Sequence, residues 1–235
     1  MRPLVLIPTY NERDNLRPLV SALMAIAELK VLVVDDNSPD GTADEAEALA
    51  AASDGRVSVM RRTGPRGFGR SYIDGMAAAL RTDATHICQI DADLSHDPAA
   101  LPQLLTAATA ADLVIGSRYV PGGELRNWPA HRLVLSRFAN WYIRAITRLP
   151  VHDCTSGFRC WTRGLLARMP LDRFVSNGYA FQVEMAWEAH AAGGRIVEVP
   201  ITFVERREGQ SKMSGRVIAE SVVLPWRLIA RPRSR

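Results

Sequence analysis

The chain has 235 residues, 47% hydrophobic and 23% charged, which is enough to bury a full core and rules out a disordered or low-complexity protein. Its three cysteines, Cys88, Cys154 and Cys160, are odd in number and scattered, which argues against a disulfide framework and fits a reducing cytoplasm. The net charge of +4 is carried by arginine and is uneven: six arginines face only Glu124 between Arg118 and Arg148, and seven arginines plus Lys212 face Glu208 and Glu220 from Arg206 onward.

That asymmetry points the second half toward phosphates or an anionic surface. No RNP-like, zinc-finger or helix-turn-helix pattern accompanies it, so no nucleic-acid partner is expected. The opening MRPLVLIPTY is too short an apolar run for a signal peptide, and no stretch approaches the ~20 apolar residues of a membrane span, so a soluble or peripheral protein is expected.

In chain order, Leu4 to Ile7 is a continuous apolar strand ended by Pro8, and a helix starts within Asn11 to Asn15 and runs to about Ala27. Val31 to Val34 is a second strand. Ser38-Pro39-Asp40-Gly41 is turn chemistry, followed by a helix from Thr42 to Ala52. A strand at Val57 to Met60, a helix from about Gly69 to Leu80, a strand at 87–90, a helix over 98–110 and a strand at Leu113 to Ile115 continue the alternation. Strands alternating with helices predict an α/β fold with a mostly parallel sheet covered on both faces.

Residues 87–97, ICQIDADLSHD, carry the sharpest signal. An apolar strand ends directly in Asp91-Ala92-Asp93, so two carboxylates leave the carboxyl end of a strand, where open α/β sheets bind ligands. Together they suit a hard cation, Mg²⁺ or Mn²⁺, holding a diphosphate. A lone DxD is more often a helix cap and a solvated turn than a metal site. Its neighbours shift the balance, because Pro8-Thr9-Tyr10-Asn11-Glu12 and Asp35-Asp36 leave the first two strands at the same edge. There Tyr10 can pack on a base, Asp36 can accept from a ring N–H and Glu12 can hold a ribose hydroxyl. No GxGxxG or GxxxxGK[ST] is present to explain phosphate binding, and the run Gly64-Pro65-Arg66-Gly67-Phe68-Gly69-Arg70 is weak evidence for it.

Beyond Ser117 the alternation loosens. Pro121-Gly122-Gly123 is a loop, and His131 to Leu149 reads as a helix with three sides. Arg137, Arg144 and Arg148 line up beside Trp141, next to an apolar arc of Val134, Phe138, Tyr142, Ala145 and Leu149; Arg132, Ser136, Asn140 and Thr147 occupy the remaining side. This is either an ordinary surface helix or an interfacial one, with arginine at lipid headgroups and tryptophan at the boundary. A second such segment spans 216–230, where Pro225 is expected to kink or end the helix.

The blocks PTYNERDNL (8–16), VVDDNSPDGT (33–42), DADLSHDP (91–98), GSRY (116–119), DCTSGFR (153–159) and FVERREGQSKM (203–213) together resemble the dolichol-phosphate (polyprenol) mannose synthases, glycosyltransferases of family 2 with the GT-A fold. The first three blocks are shared more loosely across family 2; the last three are more specific. The resemblance implies that Pro8, Tyr10, Glu12, Val34, Asp36 and Ala92 hold the nucleotide of GDP-mannose. It further implies Asp91 and Asp93 at the metal, with Ser95 at a third position where some relatives carry a glutamine ligand. Arg118, Arg206 and Lys212 would contact phosphates, Arg132 and Ser136 the acceptor lipid phosphate, and Gln182 and Glu184 would lie near the sugar.

The implied reaction is metal-dependent, inverting transfer of mannose to dolichyl or polyprenyl phosphate, by a peripheral protein on the cytoplasmic face of a membrane. A separate membrane-anchoring subunit is a further implied partner. The implied organisation is a catalytic domain over 1–215, with a nucleotide half at 1–117 and an acceptor half at 118–215, and an amphipathic basic tail over 216–235. Two other readings stay open at this level: a family-2 transferase using a UDP-glucose-type donor with the same acceptor, and a non-catalytic nucleotide-binding module.

Overall fold

The computed structural model describes residues 1–174, 176, 178–205 and 215–231. The first half alternates as expected. β1 (Pro3–Thr9) leads to α1 (Arg13–Met24), β2 (Lys30–Asp35) to α2 (Thr42–Ala51), β3 (Val57–Arg61) to α3 (Phe68–Ala79), and β4 (His86–Gln89) to a 3-10 turn at Pro98–Ala100 and the short α4 (Leu101–Ala107), ahead of β5 (Leu113–Ser117). β1 is apolar and almost wholly buried along its length, as a central parallel strand covered on both faces must be. α1 buries Leu16, Leu19, Val20 and Leu23, the i, i+3, i+4, i+7 stripe of a helix lying on a sheet. The helix expected over 98–110 is shorter, because Asp97 caps a 3-10 turn before the α-helix begins at Leu101.

The second half holds β6 (Glu124–Arg126), α5 (Ala130–Thr147), β7 (Arg159–Thr162), α6 (Arg163–Leu166), α7 (Gly178–Ala191), β8 (Ile196–Pro200), β9 (Thr202–Val204) and α8 (Gly215–Ala230). The main sheet has the order β3-β2-β1-β4-β7-β5-β8, and a two-stranded parallel sheet joins β6 to β9. Within the main sheet β7 alone runs antiparallel, against both β4 and β5. Two apolar clusters cover its two faces, one built on α1, α2 and α4, the other on α3, α7 and the inner residues of α5 and α8. The topology brings the carboxyl ends of β1, β2 and β4 side by side.

α5 is oriented in a way its sequence pattern does not specify. Its polar side faces the protein, with Asn140 and Thr147 buried beside Ile143. The apolar arc faces outward, leaving Val134 67%, Phe138 57% and Trp141 61% exposed. The helix ends at Arg148, whose left-handed φ of 58° closes it, so Leu149 packs beyond the helix. α8 continues through Pro225 instead of stopping there: the backbone bond that proline forfeits is offset by burial of Leu224 and Leu228. The two helices are tied by the Trp226 indole N–H donating to the Tyr142 hydroxyl at 2.9 Å, which in turn donates to the Val222 carbonyl at 3.0 Å.

Candidate active site

A cleft of about 500 Å³ opens at the carboxyl edge of the sheet, walled by Pro8 near the end of β1, Tyr10 and Glu12 after it, Asp36 after β2, and Asp91, Ala92 and Asp93 after β4. Three short strands ending at one edge thus gather residues as distant in the chain as Pro8 and Asp93. Asp35 and Asp36, adjacent in sequence, divide the work there. Asp35 is buried and holds the turn, accepting from the Thr9 hydroxyl at 3.0 Å and from the Ser38 hydroxyl and amide at 2.6 and 2.9 Å. Asp36 borders the cleft, 6% exposed, and both its oxygens have partners: the Arg62 guanidinium and the Gly67 amide, the latter at 2.8 Å.

The metal-type carboxylates are held differently. Asp91 Oδ1 accepts from the Tyr72 hydroxyl at 3.0 Å. Burial, and then the Asp91 charge, push the Tyr72 pKa well above its ordinary value, so it stays a neutral donor. Asp93 Oδ1 accepts from both the amide and the hydroxyl of Ser95, at 3.1 and 2.5 Å. A Cβ on Gly157 would stand 2.8 Å from Asp91 Oδ2, so only glycine fits there without crowding the carboxylate. Two carboxylates two residues apart at one cleft wall suit Mg²⁺ or Mn²⁺, which typically take one or two protein carboxylates and complete their shell with substrate phosphate and water. Gly157→Ala is expected to lower turnover measured with Mn²⁺ at least tenfold with little change in thermal midpoint, read from rates titrated with Mn²⁺. Wild-type activation by Mn²⁺ in the variant would contradict that reading of the cradle.

Residues 4–173 match the family "Glycosyl transferase family 2". The chain is 48% identical over 229 residues to a polyprenol monophosphomannose synthase of Mycolicibacterium smegmatis, covering 96% of this chain and 86% of the relative. It is 47% identical over 234 residues to an undecaprenyl-phosphate mannosyltransferase of Micrococcus luteus, covering 98% and 96%. The chain belongs to glycosyltransferase family 2. Among solved structures, glucosyl-3-phosphoglycerate synthase of Mycobacterium tuberculosis, crystallised with Mn²⁺, uridine diphosphate and phosphoglyceric acid, superposes at a TM-score of 0.71 with 19% identity, over 99% of this chain and 80% of that one. The fold is GT-A.

In this family-2 glycosyltransferase the residues expected from sequence fall into three groups. Pro8, Tyr10, Glu12, Asp36, Asp91, Ala92, Asp93 and Gln182 line the cleft together. Val34 and Ser95 stand behind it: the Val34 side chain belongs to the core, and the Ser95 hydroxyl is spent on Asp93. Arg206 and Lys212 lie outside the described residues.

Arg118, Arg132 and Ser136 form an adjoining layer. Arg118 is buried and makes a two-pronged pair with Asp153 at 2.7 and 2.6 Å, and its Nη2 also reaches Thr155 Oγ1, on the cleft wall, at 2.7 Å. Arg132 pairs with Glu205 at 2.6 Å and lies 4.6 Å over the Trp128 ring. The Ser136 hydroxyl accepts from Tyr119 at 2.7 Å, while Asn140, one turn on, donates to Thr155 at 3.4 Å. Thr155 therefore links this layer to the cleft.

Gln182 is 2% exposed, and neither of its side-chain polar atoms has a partner among the described residues, an arrangement a hydroxyl-bearing ligand would satisfy. Glu184 points away, its Oε2 accepting from the Ser176 amide at 3.1 Å and its Oε1 pairing with Arg231 at 2.6 Å. Sequence reading missed Arg66, Tyr72, Thr155 and Gly157. Of these Arg66, Thr155 and Gly157 sat in stretches already conspicuous for glycine or for family resemblance, and Tyr72 did not.

His96, buried against Phe158 and Phe203, is held neutral because burial lowers its pKa from 6.5 to about 4. The unfolded chain then binds the extra proton between those values, so His96 makes stability fall as pH drops from about 6.5 toward 4. His96→Phe is expected to flatten that part of the stability profile, measured by urea melts across pH. An unchanged slope would assign it to other groups.

Proposed function

We propose that this glycosyltransferase transfers mannose from GDP-mannose to dolichyl or polyprenyl phosphate, with inversion, at the cytoplasmic face of a membrane. The observation that carries the reading is the Asp91–Asp93 pair facing the cleft in a chain nearly half identical, almost end to end, to two enzymes named for mannosyl transfer to polyprenyl phosphates. Asp91 and Asp93 would hold Mg²⁺ or Mn²⁺, which when bound neutralises charge developing on the departing diphosphate. Tyr10, Glu12 and Asp36, with Pro8, Val34 and Ala92 as backbone neighbours, hold the nucleoside; Gln182 takes sugar hydroxyls. Arg206 and Lys212 add phosphate contacts.

The acceptor side needs little proton chemistry. A phosphate monoester has a second pKa near ~6, so its oxygen is already a nucleophile at neutral pH and no strong general base is required. Arg132, Ser136 and Arg118 then act by orientation and charge compensation, bringing the lipid phosphate in line with the anomeric carbon. One displacement turns an α-linked donor into a β-linked product. The deciding experiment supplies labelled GDP-mannose or UDP-glucose with metal and polyprenyl phosphate. Mannose in the lipid fraction is the expected result; glucose alone, or no lipid label, sinks the proposal.

No helix among the described residues is long and apolar enough to cross a membrane. The surface for peripheral attachment is the outward arc of α5, with Phe138 and Trp141, joined to Trp226 and Ile229 of α8 and flanked by Arg137 and Arg148. Phe138→Glu combined with Trp141→Glu is expected to reduce flotation with anionic liposomes at least tenfold, since each inserted aromatic contributes on the order of 1.5–3 kcal/mol. Arg137/Arg144/Arg148→Glu should reduce it further. Wild-type protein that fails to float, or variants that float equally well, would exclude this surface. A separate anchoring subunit would use the same face.

A further inference from the structure

The loop after β3, which the reading above leaves without a task, presents one cation to the nucleotide end of the cleft. Arg66 lies 4.7 Å over the Tyr10 ring, donates to the Tyr10 hydroxyl and lines the cleft. Its backbone is fixed from both sides. The Pro65 carbonyl accepts from Arg62 Nη2 at 3.3 Å, and the Gly67 amide donates to Asp36 Oδ2 at 2.8 Å. Arg62 is itself buried, pairs with Asp36 through Nη1 and reaches Asp74 at 2.7 Å. Asp36 and Arg62 therefore form a clasp that holds the loop closed, while the Arg66 side chain projects from it, exposed, over the aromatic ring.

We infer that Arg66 is the second wall of the base slot: the nucleobase enters between the Tyr10 ring and the Arg66 guanidinium, which lifts by one base thickness and closes on the outer face. This rests on the reading that Tyr10 carries the base. A planar guanidinium stacks on a base as it stacks on tyrosine, because both offer a π face to a delocalised cation. Phosphate contact is the competing task for an arginine here, and the topology disfavours it. The loop follows β3, at the far edge of the order β3-β2-β1-β4, whereas the diphosphate carboxylates follow β4. The inference also gives Asp36 a function consistent with its observed partners: it sets the position of the clamp, and its influence on the base passes partly through Arg66.

The experiment is calorimetric titration of wild-type, Arg66→Ala and Arg66→Lys proteins with GDP and, separately, with pyrophosphate, each with Mn²⁺. Arg66→Ala is expected to weaken GDP about tenfold and leave pyrophosphate within twofold, and Arg66→Lys, which keeps the charge without the planar face, to weaken GDP several-fold. GDP binding unchanged in Arg66→Ala, or restored fully by lysine, overturns the clamp while leaving the nucleotide reading standing. Parallel losses of GDP and pyrophosphate make Arg66 a phosphate contact and overturn it too. If wild-type protein binds pyrophosphate but not GDP, the base reading and the clamp fall together.

Discussion

Asp91→Asn and Asp93→Asn are each expected to slow sugar transfer to lipid by about 10²–10³-fold or more, with folding intact. The expectation of intact folding comes from the geometry. Asparagine keeps an oxygen that can accept from Tyr72 at position 91, or from the Ser95 amide and hydroxyl at position 93, so no buried donor is stranded. What disappears is the negative charge that would draw in a divalent cation. The measurement pairs initial rates of label entering the lipid fraction with thermal unfolding. Either variant retaining more than a tenth of the wild-type rate would remove the carboxylate pair from the mechanism, and a rate loss matched by unfolding would leave the pair as a fold element.

Arg118→Ala is expected to have the largest effect on stability, about 3–5 kcal/mol, or a drop of roughly 10 °C in thermal midpoint. Both partners of the Arg118–Asp153 pair are buried, at 4% and 0% side-chain exposure, and removing the arginine strands a charge in the interior. Burial alone would raise the Asp153 pKa, but the Arg118 guanidinium and the hydrogen bonds it brings outweigh burial and hold it below the ordinary 3.8. The sign follows: the unfolded state takes up a proton first, so this contribution is present at neutral pH and is lost as pH falls below about 3.8 through the folded value. Asp153→Asn should remove that acid-sensitive part. Arg118→Lys separates the two roles proposed for this residue, since a lysine retains a compensating charge but not the fork that reaches Asp153 and Thr155 together. Stability mostly retained with turnover lost would support a part in positioning substrate phosphate, whereas stability and turnover falling in proportion would leave Arg118 purely structural. An Arg118→Ala protein as stable as wild type would contradict the burial argument itself.

The parallel half of the molecule was legible because buried parallel strands are apolar along their whole length, and the motifs directly after them had to emerge at one edge. β7 was not legible. Its four residues, Arg159–Thr162, include an arginine that is fully buried, satisfied by the carbonyls of Ser156, Gln182 and Cys154, with burial lowering its pKa to about 10. Nothing local marks such a residue as interior. α7 was missed for a related reason: it is enclosed on nearly all sides, so Phe181, Val183, Met185 and Ala186 appear without the one-sided periodicity that signals a surface helix.

The sequence by itself determined the α/β order of elements, the gathering of Tyr10, Asp36, Asp91 and Asp93 at one sheet edge and the existence of an apolar stripe on α5, because strand period, turn chemistry and helical spacing are local properties. Only the tertiary structure decided that the polar side of α5 faces inward, that Ser95 serves Asp93, that Arg118 is paired with Asp153 and that Arg66 lies over Tyr10. Periodicity places residues on a common side of a helix but carries no information about which side another element will cover, and a side chain's partners are set by segments distant in sequence that become adjacent once the sheet has formed.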